Sequence, residues 1–488
     1  MHEGKTMRVS RPFDFGRRQV LRAATALGGT ALTAPTLLTS AFAQDPPNGC
    51  PARPTGGTPF QLGQDHRPIV LRTGISAMST TQLTELQNAL KALRALPTSD
   101  PRSWLLQADL HALYCKQCSN DIAQIHFKWN FFPWHRAYLY FYERILGSLV
   151  GNLNGFRLPY WDWENARAMP TAYRTPSAAS NSLWDQKRDS GIASGGNLPA
   201  GDGDLPVVNQ LYSTPDFATF GGTGLTAGTC ETNPHGVIHN DIGEPLGDQQ
   251  DMGNLGFAAR DPIFFAHHTN IDKLWSNWNA LAGKPGVPST AYRNPNAAAF
   301  MNATWSFYDE NSKVVSIRAA DVLNHTTHLR YAYNPIIHIP KIYKVIRCRF
   351  RCCGPDPERA PFLEIPEESL PAIATAVRQE RPTDLVLQEV EIPAGIKGNF
   401  EVFAIRGERK VLLGSFGIVG EPEMHTEHPR RMTLLLNATK ALADLTARER
   451  PATLHVAPRR GGKAFTLKAK AAELRILKTE RPTQKTDP

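Results

Sequence analysis

Cysteine is scarce. Seven in 488 residues are too few for a disulfide framework to organise a chain of this length, and the odd count leaves at least one for other chemistry. No apolar run is long enough to span a membrane; the nearest candidate, Ala23 to Leu38, is short and diluted by Ala, Gly and Thr. No basic cluster is interleaved with aromatic residues, which removes the usual footprint of a nucleic-acid partner. There is no internal repeat. Hydrophobic residues make up 41% and charged residues 20% of the chain, the composition of an ordinary globular protein. The length suits two domains rather than one core. The net charge of +9 is uneven. Lys5, Arg8, Arg11, Arg17, Arg18 and Arg22 face only Glu3 and Asp14 in the first 43 residues, so the remainder carries a mild excess of about +5.

That leading segment reads as a targeting signal. Arg17-Arg18 within Gly16-Arg17-Arg18-Gln19-Val20-Leu21-Arg22 resembles a twin-arginine motif, and a weakly apolar stretch follows it. Ala41-Phe42-Ala43 places small residues where a signal peptidase reads them, so cleavage is expected before Gln44. The expectation is export of a folded protein to the periplasm or beyond, with no membrane contact after removal of residues 1–43.

Beyond an irregular Pro- and Gly-rich arm, Leu83, Leu86, Leu90, Leu93 and Leu96 recur at helical spacing before Pro97. Further helical stretches are expected at Trp104–Cys118, Pro133–Leu149, around His235–His239, and from Pro262 to Leu281. Residues 165–230 read as long loops. After Tyr333 the character changes. Residues 341–384 hold Cys348, Cys352, Cys353 and many prolines and read as a linker. From Leu385 onward, short β-rich runs are separated by turns: Leu385–Ile392, Phe400–Ile405, Lys410–Phe416, Met432–Leu436, Ala464–Lys468 and Glu473–Leu477. The organisation expected is a mainly α protein: a helical domain over 44–340, a linker over 341–384, and an all-β, sandwich-like domain over 385–488.

Six of the fifteen histidines form two triplets. One is His111, His126 and His135. The other is His235, His239 and either His267 or His268. His235 and His239 are four residues apart, so a helix turns both imidazoles the same way. His135 follows Phe131-Phe132-Pro133-Trp134, and His268 follows Asp261-Pro262-Ile263-Phe264-Phe265; both aromatic walls would exclude water. Two triplets on helices suit two metals inside a four-helix bundle. Neutral imidazole suits copper, zinc, iron and nickel, and three nitrogens per ion leave positions open for a small molecule. The few carboxylates nearby argue against a di-iron site.

Three stretches resemble the type-3 copper proteins, above all plant polyphenol oxidases and tyrosinases. They are Asp109-Leu110-His111-Ala112-Leu113-Tyr114-Cys115 with His126-Phe127-Lys128-Trp129 and Phe132-Pro133-Trp134-His135-Arg136; Glu231-Thr232-Asn233-Pro234-His235-Gly236-Val237-Ile238-His239; and Asp261 through Trp275. Leu158-Pro159-Tyr160-Trp161-Asp162-Trp163 also fits, and the likeness covers roughly 66–335. The resemblance implies copper A on His111, His126 and His135, and copper B on His235, His239 and His268, with His267 a neighbour. It implies a thioether between Cys115 and His126, dioxygen as co-substrate and small phenols as substrates. Glu231 would hold a water that deprotonates the phenol. Asn240 joins it as a catalytic residue. Asp272, one turn after His268, is either a partner of the metal site or a helix-surface ion pair. Leu255, thirteen residues before the last ligand, stands where relatives often have Phe, and Gly236 stands where tyrosinases often have Asn; both imply a roomier entrance. The implied activity is that of an exported bacterial tyrosinase, hydroxylating monophenols and oxidising o-diphenols to o-quinones. A catechol or o-aminophenol oxidase without monophenol activity is the alternative, and a haemocyanin-like oxygen carrier is the alternative of another class. Association into a homo-oligomer and a Cys50–Cys118 bridge stay open. The β domain is expected to cap the copper pocket.

Overall fold

The computed structural model describes residues 54–115, 125–243, 251–285, 287–334, 343–352, 360–420, 430–459 and 462–478. They all belong to one compact unit, Gly49–Pro488; the other unit, Met1–Asn48, lies outside the described residues, as do the expected cleavage point and the Cys50 and Cys118 positions.

The leucine repeat folds as α1, Thr80–Ala95. Ser79 caps it through a reciprocal pair of hydrogen bonds with Gln82, satisfying donors the helix leaves open. α2 spans Trp104–Tyr114 and α3 Phe131–Leu149. α3 is nearly all buried because its aromatic residues occupy every face. A long loop region follows, broken by short helices, of which α4, Leu205–Tyr212, is capped by the Asp204 side chain. Pro234 lies in the irregular turn Glu231–Gly236, which leads into α5, Val237–Gly243. α6, Ile263–Asn279, runs through the helical core. No described helix is long and apolar enough to cross a membrane.

Asp272 on α6 is neither a surface pair nor a histidine partner. Its carboxylate accepts from Arg136 of α3 at 2.6 Å, from Tyr331 at 2.6 Å, from Tyr333 at 2.7 Å and from Arg72 at 3.3 Å. Burial pushes this carboxyl up, but Arg136 and Arg72 overcome it and hold it down at about 2. The knot ties the beginning and end of the helical region to its two central helices.

The carboxy-terminal part is one continuous antiparallel sheet of eight strands rather than two stacked sheets, which corrects the sandwich expectation. Its strands are β1 Tyr343–Arg351, β2 Phe362–Glu364, β3 Thr383–Ile392, β4 Gly398–Arg406, β5 Arg409–Ile418, β6 Arg430–Asn437, β7 Thr453–Pro458 and β8 Ala471–Leu477. They lie in the order β5-β4-β7-β2-β1-β8-β3-β6. The sheet curls until its two edges approach: a Cβ at Gly414 of β5 would meet the Leu436 side chain of β6 at 3.2 Å. This closure hides edges that would otherwise invite pairing.

The stretch read as a linker belongs inside this sheet. It supplies β1, β2 and a helix, α7, Leu370–Arg378. β1 was masked in the sequence by its cations: Lys344, Arg347 and Arg349 face outward while Ile346 and Cys348 face the core. Ala464–Lys468, expected as a strand, is irregular, and β7 takes the place beside β4 with Leu454 and Val456 inward. Cys352 is disulfide-bonded, while Cys115, Cys230 and Cys348 are buried.

Candidate metal centre

The two histidine sets meet in the helical core. His111 comes from α2, His135 from the first turn of α3, His239 from α5, and His267 and His268 from α6. His235 ends the Pro234 turn. His126 comes from an irregular segment before α3 rather than from a helix, which departs from the expectation of a purely helical ligand frame. The candidate ligand atoms of His111, His126 and His135 lie within 4.8 Å of one another, as do those of His235, His239, His267 and His268. The sets face each other, with the His135 and His268 rings stacked at 4.3 Å and His126 and His235 at 5.9 Å.

Backbone carbonyls orient four of these rings. The Nδ1 of His111 donates to Leu255 at 2.8 Å, that of His135 to Phe131 at 2.7 Å, that of His235 to Glu231 at 3.0 Å and that of His239 to Met252 at 2.8 Å. Nδ1 therefore carries the proton and Nε2 keeps its lone pair for the centre. The Nε2 atoms of His135 and His235 are buried without a hydrogen-bond partner. An unsatisfied buried nitrogen costs about 1–3 kcal/mol, a cost that a bound metal removes. Burial pulls every one of these imidazoles down, His135 to about 3 and His239 to about 4; the rings are neutral at pH 7, the form that ligates. Phe131 stands 4.6 Å from His235, and Phe264 stands 4.1 Å from His268. Among the described residues no carboxylate joins either set. All-imidazole donors in a dry aromatic chamber fit a copper pair.

Other expected site residues fall around this chamber. Glu231 is buried, and its Oε1 accepts the Phe127 backbone N–H at 2.6 Å. Cys115 Sγ lies 3.3 Å from His126 Nδ1 and 3.5 Å from both ring nitrogens of His111. Asn240 turns away toward the sheet and donates to Asn399 Oδ1 at 3.0 Å.

Leu255 and Gly236 serve differently from the open entrance expected of them. Leu255 is buried; its carbonyl orients His111, and its N–H donates to the Gly420 carbonyl at 2.9 Å. Gly236 abuts β5, where an added Cβ would come 2.7 Å from the Gly417 carbonyl oxygen. The space glycine leaves is filled by backbone. Val419 inserts into the helical core cluster although its neighbours belong to the sheet. The residues that sequence reasoning missed are the seam glycines Gly417 and Gly420 and the Met252 carbonyl. His267 and His268, offered as alternatives for the second set, both lie against it.

The fold and the paired histidine sets define a type-3 dicopper protein. A family model described as the common central domain of tyrosinase matches residues 101–208 and 201–281, and one described as the polyphenol oxidase middle domain matches 295–346. The latent polyphenol oxidase of Prunus armeniaca is 35% identical over 344 residues, covering 62% of this chain and 55% of that protein. The crystal structure of a Vitis vinifera polyphenol oxidase aligns at 32% identity and TM-score 0.52, covering 61% of this chain and 94% of that one. A latent aurone synthase structure aligns at 25% identity and TM-score 0.63, covering 87% and 92%. The chain belongs to the tyrosinase and polyphenol oxidase family, whose centre holds two copper ions. It spans about half the length of the first curated relatives it matches, 55% and 53%.

These relatives are named as chloroplastic plant enzymes, which overturns the expectation of twin-arginine export to a bacterial periplasm. A basic, acid-poor leading segment is a composition that organelle transit peptides share with export signals, so residues 1–43 did not discriminate.

Proposed function

We propose that the protein is a copper-dependent phenol oxidase that hydroxylates monophenols and oxidises o-diphenols to o-quinones, the diphenols faster. The observation that carries this reading is the convergence of two neutral imidazole sets in which four rings are tied back to carbonyls through Nδ1. His111, His126 and His135 would hold one ion, and His235, His239 and His268 the other. Bound there, the copper pair supplies two-electron chemistry with dioxygen.

The chain's own residues prepare the substrate. Phe131 and Phe264 line the chamber with flat apolar faces for a phenol ring and keep bulk water out. Glu231 sits four residues before His235 in the irregular turn, with one carboxylate oxygen held by Phe127. Its role is to position a water that takes the phenolic proton. Cys115 is read as linked to His126 by a thioether, which would hold that ligand still on its irregular segment. An ortho-diphenol oxidase lacking the monophenol reaction is the second reading, favoured by Gly236 in place of an amide side chain beside the first ligand of the second set.

The sheet is read as a cap. Gly417 packs on Gly236, Gly420 pairs with Leu255 and Gly253, and Asn399 donates to Val237 and Asp241 at 3.0 and 2.8 Å. These contacts cover the approach to both sets. The test is oxygen uptake with tyrosine, tyramine, 4-hydroxybenzoate and their catechols. Quinone formation from both classes supports the proposal, and uptake with catechols alone assigns the second reading. No turnover of any phenol leaves an oxygen carrier.

A further inference from the structure

The residue after His126 takes a backbone conformation that its side chain disfavours. Phe127 has a φ of 60°, in the left-handed region. A bulky residue is a genuine outlier there, whereas Gly, Asn and Asp take it far more readily. Seven described residues other than glycine have positive φ, and Phe127 alone of them adjoins a histidine of the centre.

Such strain persists only where the surroundings over-determine it. Here the chain is pinned on both sides. The Ile125 N–H donates to the Tyr114 carbonyl at 3.3 Å, and the Trp129 N–H donates to the Thr223 carbonyl at 2.7 Å. The Phe127 ring is half-buried and packs against both the helical core and the core of the sheet. Arg430, at the start of β6, lies over it with the guanidinium carbon 5.1 Å from the ring centre. The turn lets the chain leave toward Trp129 while the Phe127 N–H stays on Glu231 Oε1, at 2.6 Å. A bond from N–H to carboxylate is charge-assisted. Glu231 is also held by its own carbonyl, which accepts from His235 Nδ1 at 3.0 Å. It is therefore fixed at both ends, by the second histidine set and by the segment that carries His126. Glycine would permit the same turn, but it would bring no ring for the two cores to grip.

We propose that Phe127 is a positioning residue for Glu231. Its left-handed turn, gripped by both cores, keeps the N–H on Oε1 and fixes where the carboxylate stands. This rests on the reading of Glu231 as the holder of a water that takes the phenolic proton. A carboxylate out of place cannot hold that water. Monophenols, whose proton is the harder to remove, therefore feel position 127 more than catechols do.

The experiment compares kcat/KM for tyramine and for its catechol in copper-loaded wild type, Phe127→Asn and Phe127→Val. Both substitutions remove the ring. Asn still tolerates the left-handed turn, whereas a β-branched residue does not. Phe127→Val should lower monophenol kcat/KM about 10- to 100-fold, as a misplaced group does, and catechol kcat/KM far less. Phe127→Asn should keep the ratio of the two substrates within about threefold of wild type. In a Glu231→Gln background, Phe127→Val should change that ratio little further, because residues that act through one another are non-additive. Hydrogen exchange gives a reading without turnover. In metal-free and copper-loaded protein alike, the Phe127 amide should be protected in wild type and in Glu231→Gln, which keeps the acceptor. In Glu231→Ala it should exchange about 10-fold faster or more. If Phe127→Val loses copper or does not fold, Phe127→Leu is read by the same assay. Equal losses on the two substrate classes, equal ratios in the Asn and Val proteins, or a Phe127 amide indifferent to Glu231→Ala would overturn the assignment. A Glu231→Gln protein with no preference between the classes, its Phe127 amide still protected, would overturn instead the reading of Glu231 beneath it.

Discussion

His239 and His268 face each other across the second histidine set with their Nε2 atoms 3.2 Å apart. Two nitrogens bound to one ion at ~2.0 Å in tetrahedral geometry stand about 3.3 Å apart. The backbone has therefore already set the spacing of two ligands. Met252 fixes the His239 ring from behind, and Phe264 packs on His268 at 4.1 Å. That pair of nitrogens already stands at the separation a shared ion needs, which favours preorganised ligation.

The sulfur of Cys115 lies against the His126 ring at 3.3 Å. If the two are joined, the copper-loaded protein should be lighter by two hydrogens, and reductant should not reverse the change. Peptide mapping checks this directly. Recovery of Cys115 as an alkylatable thiol in fully active enzyme would refute the link.

Glu231→Gln keeps an oxygen for the Phe127 N–H but cannot take a proton from water. Monophenol turnover should fall about 100-fold, and catechol turnover far less, because a catechol is the stronger acid and is oxidised without insertion of oxygen. Paired kcat/KM values decide it. Equal losses on both classes would remove Glu231 from proton transfer.

A Cβ on Gly417 would stand 2.3 Å from the Gly236 carbonyl carbon. Gly417→Val should therefore wedge β5 away from α5, at an overpacking cost of about 1–3 kcal/mol. Activity on bulky phenols should rise several-fold, and activity on catechol should rise less. An unchanged ratio of the two in a folded variant would mean that the sheet does not limit access.

Asp272 has a carboxyl held near 2 in the folded protein against about 3.9 in an unfolded chain. A depressed acid contributes stability above its unfolded value and loses it as pH falls through the folded one. Denaturant midpoints should thus decline between about pH 4 and pH 2. Asp272→Asn should cost roughly 3–5 kcal/mol at pH 7, because Arg136 and Arg72 lose a buried partner, and should flatten that acid slope. A variant as stable as wild type would remove the knot from the account.

Much of the centre could be read from the chain, because its signals are local. His235 and His239 stand four residues apart, aromatic runs precede His135 and His268, and the leucine spacing of α1 ends at Pro97. What escaped the sequence depends on tertiary contact. Gly236 and Leu255 look like room at an entrance until Gly417 and Gly420 are seen filling it. β1 was hidden by outward Lys344, Arg347 and Arg349, and β7 by its terminal Pro458. Spacing alone did not choose between His267 and His268, since both are buried against the second set; the family resemblance made that choice. The leading 43 residues carried a composition common to several targeting routes, so no physical feature within them could choose one.

Copper titration of the metal-free protein, with catechol-dependent oxygen uptake followed at each step, tests the central claim most directly. Uptake should remain near zero through the first equivalent if the ions load in sequence and reach its maximum as the second is bound. His239→Ala should stop at one ion without activity. Full activity at one copper per chain, or two bound coppers with no oxygen consumed in the presence of catechol, would contradict a dicopper phenol oxidase.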